Sequence, residues 1–337
     1  MNDKITSLDV ARRAGVSQSA VSRVFSGASA SKSTTAKVRK AAEELRYRPN
    51  PLARAMITGK SRIIGLVVAY LDNQFYPLAL ERLSASLQAK GYHILVFLAS
   101  NAEQDITKVM QELLDYQVDG IITASVAISN DLTARCAAEG IPLVMFNRGQ
   151  DGSGISSVTS ANMVGGRRVA EFLLAGGHKR IAHIAGWQGS STGRDRQRGF
   201  LDGLAAAGAG PIDVIDGMYD RDVAAAAAQR LVSRPAPPDA IFVGNDHMAF
   251  AVMDQVRRMG VSIPADLSVV GYDDVPLAAW GAYDLTTVRQ PVNRMVEATV
   301  ETLLAQIEDP ARPAQKVEID GPLIVRTSAR IPKDWPR

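Results

Sequence analysis

The chain has 337 residues, 46% of them apolar and 22% charged, with a formal net charge of +3. That length exceeds one ordinary domain, and that balance excludes a mainly disordered chain. A single cysteine, Cys136, excludes an intramolecular disulfide framework and a cysteine-only zinc cage, and fits a reducing compartment.

Charge is unevenly placed. Residues 1–62 carry thirteen Lys and Arg against four Asp and Glu, a balance of +9, whereas residues 63–337 carry 25 against 31, a balance of −6. A small basic segment on a larger, mildly acidic body predicts a polyanion-binding head. Residues 1–15 hold Asp3, Lys4, Asp9, Arg12 and Arg13 without an apolar stretch, so no secretory signal is expected. The longest apolar run, 63–71, is about half of what a bilayer requires. Both readings predict a soluble cytoplasmic protein.

The head opens with Ser7 placed to cap a predicted helix from Leu8, with Leu8, Val10, Ala11 and Ala14 as its inward face. Gly15 offers the positive φ of a tight turn. Ser17 is a natural N-cap for a second helix over 18–25, whose apolar stripe is Ala20, Val21 and Val24. A Ser/Gly/Ala loop over 26–33 precedes a third helix over 35–46, packed by Val38, Ala41, Ala42 and Leu45. Helix, Gly turn, helix and supporting helix form the helix-turn-helix pattern. Gln18, Ser19, Ser22 and Arg23 then share the polar face of the second helix, where Gln and Arg can pair bidentately with adenine or guanine in the major groove.

Pro49-Asn50-Pro51 disfavours continuation of the third helix. The following 52–56 segment has good helix formers but is too short to be stable alone, so it is a hinge that needs a template.

From residue 61 short apolar strands alternate with helices. Strands are predicted at 63–69, 93–98, 120–124, 143–146, 180–185, 240–244 and 267–271, and helices at 77–90, 104–116, 132–139, 163–175, 195–207, 223–233, 248–259 and 293–307. Such alternation means parallel sheets covered on both faces, and about 275 residues call for two α/β lobes with a cleft beyond the strand carboxyl ends. Asp72 to Tyr76 and Asn147-Arg148 follow strands, Arg194 and Arg196 open a helix, and Asn245-Asp246 and Tyr272-Asp273-Asp274 end two strands. An Arg, an Asp and Asn amides converging with aromatic faces suit a polyhydroxylated ligand.

The runs Ser7 to Ala11, Ala14 to Ser17 and Val21 to Val24, continued by Leu45, Tyr47, Arg48, Pro49 and Asn50, resemble the headpiece of the lactose/galactose repressor (LacI-type) family, and the resemblance extends over nearly the whole chain. It implies an N-terminal helix-turn-helix head (1–48), a hinge helix (49–61) and a two-lobed effector-binding and dimerisation domain (62–337) resembling the periplasmic sugar-binding proteins. The first lobe would take about 62–160 plus 291–323, and the second about 162–288 plus the C-terminus. By this resemblance Gln18, Ser19 and Arg23 read bases, Ser17, Ser22, Tyr47 and Asn50 sit on phosphates, and Arg54 and Met56 contact DNA from the hinge, Met56 in the wedge position. Phe75, Tyr76, Asn147, Arg196, Tyr219, Asn245, Asp273 and Gln290 are implied as effector-pocket positions. The chain departs from the family pattern at Thr35, where Arg is more usual, and at Ala161, where Asp is. Trp280 is expected either in the pocket or at a subunit contact.

Enzyme readings fare worse. Gly189-Ser190-Ser191-Thr192-Gly193 matches a nucleophile-elbow string but begins four residues after its strand, with no Asp-then-His pair placed for a triad. The four histidines, His93, His178, His183 and His247, lack metal-ligand spacing. The expectation is a regulator with no enzymatic activity, cofactor or metal: a ligand-responsive repressor that binds double-stranded operator DNA and a sugar or sugar derivative. No leucine heptads follow Arg326-Thr327-Ser328, which predicts a homodimer. The alternative is a solute-binding protein of a transport system.

Overall fold

The computed structural model describes residues 5–26, 29–48, 60–99, 103–126, 130–150, 154–333 and 335. The chain divides into two compact units, Met1–Arg62 and Ile63–Arg337.

In the first unit, α1 (Ser7–Ala14), α2 (Gln18–Ser26) and α3 (Lys32–Glu44) enclose a small core of Val10, Ala11, Val21, Val38, Ala41 and Ala42. Thr6, not Ser7, caps α1: its hydroxyl accepts from the Asp9 N–H while the Asp9 carboxylate accepts from the Thr6 N–H, a capping box. Gly15 closes α1 at φ 64°, ψ 40°, the left-handed conformation a Cβ would oppose. Leu8 departs from expectation, because it is 44% exposed rather than core. The third helix begins earlier than predicted because the Ser31 hydroxyl caps it, accepting from the Thr34 N–H, and it ends before Arg46, whose φ is 50°. Arg13 ties α1 to α3 through Glu44 at 2.6 Å.

The second unit holds two six-stranded sheets. Lobe 1 is built on β1 (Ile63–Val68), β2 (His93–Leu98), β3 (Gly120–Ala124), β4 (Leu143–Phe146), β5 (Ser156–Ser160) and β11 (Lys316–Ile319), in the order β2-β1-β3-β4-β5-β11, all pairs parallel. Lobe 2 uses β6 (Ile181–Ala185), β7 (Asp213–Asp216), β8 (Ala240–Val243), β9 (Ser268–Asp273), β10 (Thr286–Arg289) and β12 (Leu323–Ile324), in the order β7-β6-β8-β9-β10-β12, with β12 antiparallel. Both sheets share the doubly wound order 2-1-3-4-5, so each has a switch point where ligands bind beyond the strand ends.

Helices α4 (Phe75–Ala89), α5 (Glu103–Asp115), α6 (Asn130–Ala138) and α11 (Val292–Glu308) belong to lobe 1. Lobe 2 carries α7 (Asn162–Ala175), α8 (Ser191–Ala206), α9 (Arg221–Val232) and α10 (Asp246–Arg258). The chain therefore crosses between lobes three times: at Ala161, at Gln290-Pro291 and at Asp320 to Pro322. At the third crossing Arg168 of α7 holds the Asp320 carboxylate with both terminal nitrogens, at 3.0 and 2.9 Å, and its hydrogen bonds keep that carboxyl below its ordinary range.

Candidate functional site

On α2 the residues expected to face DNA are all exposed: Gln18, Ser19, Ser22 and Arg23, with Ser17 preceding them. Val21, on the opposite face, is 1% exposed and holds the helix against α1 and α3. Ser17 Oγ lies 2.9 Å from Ser19 Oγ and accepts from the Ala20 N–H. The Gln18 amide donates to the Ser7 hydroxyl at 2.9 Å, which parks it against α1. Tyr47 is half-buried, its ring tilted against Phe25 at 5.8 Å, so at most its edge is offered. Asn50, Arg54 and Met56 lie outside the described residues.

The second site lies between the lobes, where the carboxyl ends of β1, β4, β6, β8 and β9 face each other. A small pocket there is lined by Tyr70, Asn73, Tyr76 and Asn147 from lobe 1 and by Thr192, Arg196, Tyr219, Asn245 and Asp273 from lobe 2. Six of the eight expected positions are thus brought together. Phe75 and Gln290 are not among the lining residues. Phe75 is 2% exposed and stacked on Phe146, because its place at the start of α4 turns it into the lobe core behind Tyr76. Gln290 sits behind Asp273 and donates its amide to that carboxylate at 2.7 Å.

Arg196 organises lobe 2. Its Nε donates to Asn162 Oδ1 at 2.8 Å and its Nη1 to the Gly244 carbonyl at 2.7 Å, 3.4 Å from Asp273 Oδ1. The guanidinium lies 3.7 Å over the Tyr272 ring. One side chain therefore joins the first crossing to the ends of β8 and β9. Asp273 has φ 130°, a strained conformation for a non-glycine residue. Burial pushes its carboxyl upward, against the pull of Arg196. Asp246 is fully buried beside it, accepting from the Thr287 hydroxyl at 2.6 Å and the Val275 N–H at 3.0 Å. Burial, and then the charge of Asp273, push Asp246 up to about 8. Of the two acids it is Asp273 whose charged form Arg196 favours.

In lobe 1 the Asn147 amide donates to the Tyr76 hydroxyl at 3.2 Å. Burial raises the Tyr70 and Tyr76 phenols above their ordinary range, so both act as neutral hydroxyls. Contacts between the lobes draw the cleft together: the Gly149 N–H donates to the Ser191 hydroxyl at 3.0 Å, and His247 lies 3.5 Å from Asp72 at the cleft mouth. The closed pocket has room for little more than a water molecule, so a sugar-sized ligand enters only as the lobes part.

Tyr70 and Thr192 were not singled out in the sequence. Tyr70 lies two residues past a strand end, the same signal that marked Asn147. Thr192 belongs to the nucleophile-elbow string, and the structure shows what that string does. The Ser190 hydroxyl donates to the Trp187 carbonyl and accepts from the Gly193 N–H, capping α8. Trp280 is 62% exposed on the loop after a 3-10 turn and does not line the pocket. Ala161 precedes α7 without a side-chain cap. Among the described residues no group of three metal-ligating side chains forms, and no helix is long and apolar enough to cross a membrane.

Residues 6–50 match the family model described as bacterial regulatory proteins, lacI family, and residues 170–329 match a periplasmic binding protein-like domain. The chain is 30% identical over 330 residues to the ribose operon repressor of Escherichia coli (strain K12), covering 96% of this chain and 99% of that one. A solved structure of the Lac repressor dimer bound to operator and the anti-inducer ONPF is similar with a TM-score of 0.87 at 26% identity, covering 97% and 99% of the two chains. A complex of the transcriptional regulator CelR with cellobiose is similar with a TM-score of 0.73 at 28% identity, over 96% and 100%.

Proposed function

The chain belongs to the lacI family of bacterial regulatory proteins, and from that premise we propose that it represses a small carbohydrate-related catabolic operon by binding its operator as a homodimer. It is a ligand-responsive, DNA-binding regulator of transcription. One observation supports this over a solute-binding protein: a helix-turn-helix with an exposed polar face and a polar interlobe pocket occur in the same chain. Residues 1–48 form the operator-reading head, 49–61 the hinge and 62–337 the effector and dimerisation domain. Gln18, Ser19 and Arg23 read base edges, while Ser17, Ser22, Tyr47 and Asn50 seat the head on phosphates and Arg54 and Met56 act from the hinge. No reaction is assigned to the nucleophile-elbow string, since its Ser190 hydroxyl caps α8. A regulator acting on bacterial DNA works in the cytoplasm.

The effector must bind one lobe arrangement better than the other, since only differential affinity shifts an equilibrium. Selection of sequences from a random duplex pool by the full-length protein tests the proposal. A pseudo-palindromic site should emerge, and Arg23→Ala should cost about 1–3 kcal/mol on it and relax its sequence preference. Failure to enrich any sequence would overturn the operator reading. Equal loss on random DNA would make Arg23 a phosphate contact only.

A further inference from the structure

Two buried arginines stand by the cleft, Arg196 lining its pocket and Arg148 behind the lining residue Tyr70, and they are treated oppositely. Arg196 is 3% exposed and surrounded by acceptors: an amide oxygen, a carbonyl and a carboxylate. Arg148, one residue past Asn147 at the end of β4, is 4% exposed. Its Nη2 makes a long hydrogen bond to the Tyr70 hydroxyl, 3.4 Å, while its Nε and Nη1 are buried without any acceptor. On the other side its guanidinium lies 5.7 Å from the Trp187 ring of lobe 2. Among the described residues no carboxylate pairs with it. Asp273 is engaged by Arg196 and Gln290, and Asp72 faces His247. A guanidinium stripped of water with two nitrogens unanswered is half of an ion pair.

The neighbouring group completes the pattern. Asn147 Oδ1 is also buried and lacks a donor, since its amide nitrogen is the atom given to Tyr76. Adjacent residues at one strand end thus present unused N–H donors and an unused acceptor. A carboxylate beside a hydroxyl answers both, the carboxylate on Arg148 and the hydroxyl on Asn147. A neutral sugar's hydroxyls can accept from Arg148 but leave its charge buried and unpaired.

We propose that the effector is an acidic sugar, a polyhydroxylated carboxylate, and that Arg148 is the residue that reads its charge. This rests on the cleft being the effector site, as argued above. The test compares full-length wild type and Arg148→Met with galacturonate, glucuronate and gluconate, alongside galactose and glucose, at fixed ionic strength, by calorimetry and by tryptophan emission, to which Trp187 contributes. At least one acid should bind the wild type about 10- to 100-fold more tightly than its neutral parent, and Arg148→Met should lose that advantage. Without ligand, Arg148→Met should melt no lower than wild type, because it removes an uncompensated buried charge. A lower melting temperature would make Arg148 a structural residue and overturn the assignment. So would an acid bound equally by Arg148→Met, or silence from every acid. A neutral sugar bound as tightly as its acid, and lost in Tyr219→Ala, overturns the acidic effector and leaves the cleft standing. An acid whose binding survives both Arg148→Met and Tyr219→Ala lies outside the cleft and overturns that reading too.

Discussion

At the scale of single residues, buried polar groups show where this protein stores its sensitivity. His183 on β6 is fully buried, stacked on Phe242 at 4.7 Å and tilted against Phe200. Its Nδ1–H donates to the Phe242 carbonyl at 2.9 Å, which fixes the neutral tautomer, and Nε2 has no partner to receive a second proton's N–H. Burial lowers its pKa to about 4 against an ordinary 6.5. The unfolded chain therefore binds a proton between those values that the fold refuses, so the stability present above pH 6.5 is lost as pH falls towards 4, by about 3 kcal/mol at most. His183→Leu should flatten this limb in denaturant titrations at pH 7, 6 and 5; parallel loss in both proteins would exonerate His183. Arg196 makes a different prediction. Removing it strands Asp273 in a buried site, so Arg196→Met should cost about 3–5 kcal/mol by chemical denaturation, and pairing it with Asp273→Asn should recover part of that loss. Strict additivity of the two changes would show that the pair does not act as a unit.

Among the elements, the packing of α7 on α8 is the tightest feature of lobe 2. A Cβ on Gly199 would fall 2.0 Å from the Met163 carbonyl oxygen, a backbone atom that cannot swing aside. Gly199→Ala must separate the two helices and should cost at least about 1–3 kcal/mol, read from the melting temperature. A change under about 0.5 kcal/mol would mean that the helices slide apart freely. The same helices show how far the sequence could be read. Strands β1 to β4 were legible because each is an apolar run ended by a polar or turn residue. β5 was not: Ser156-Ser157-Val158-Thr159-Ser160 carries no hydrophobic signal, yet Ser156, Ser157 and Ser160 are buried. The Ser156 hydroxyl receives the Gln306 amide and the Gln315 N–H from elements 150 residues away, a compensation invisible to local pattern. β7 (Asp213-Val214-Ile215-Asp216) and β10 (Thr286-Thr287-Val288-Arg289) are half or more polar and β12 has two residues, so none makes an apolar run. At the pocket, Arg196 was marked by its place near the start of a helix, and strand-end position identified Asn147, Asn245 and Asp273. It could not separate Tyr76, which lines the cleft, from Phe75, which turns into the core.

Across the whole molecule, the division of charge assigns the tasks: a head with a balance of +9 for a polyanion, and a body at −6 that DNA would repel. A body of that sign can still favour an anionic effector because attraction in a cleft is local; Arg148 is buried, and the body's acids face water or partners of their own. Control of the head by the cleft is then a coupling free energy between two sites, and coupling is reciprocal. If the effector changes operator affinity by some factor, the operator must change effector affinity by the same factor, whichever direction the change takes. The lobes offer the means: the Gly149–Ser191 and His247–Asp72 contacts bridge them, and the pocket between is too small for a sugar, so binding requires the lobes to part. Measuring effector affinity by calorimetry with and without saturating operator, and operator affinity by anisotropy with and without effector, should return one common factor, typically about 5- to 150-fold. Ser191→Ala, which removes an interlobe contact, should tighten effector binding by favouring the open state. Two unequal factors would mean that the ligand or the DNA binds at an additional site, and a factor of one would mean that the cleft does not govern the head.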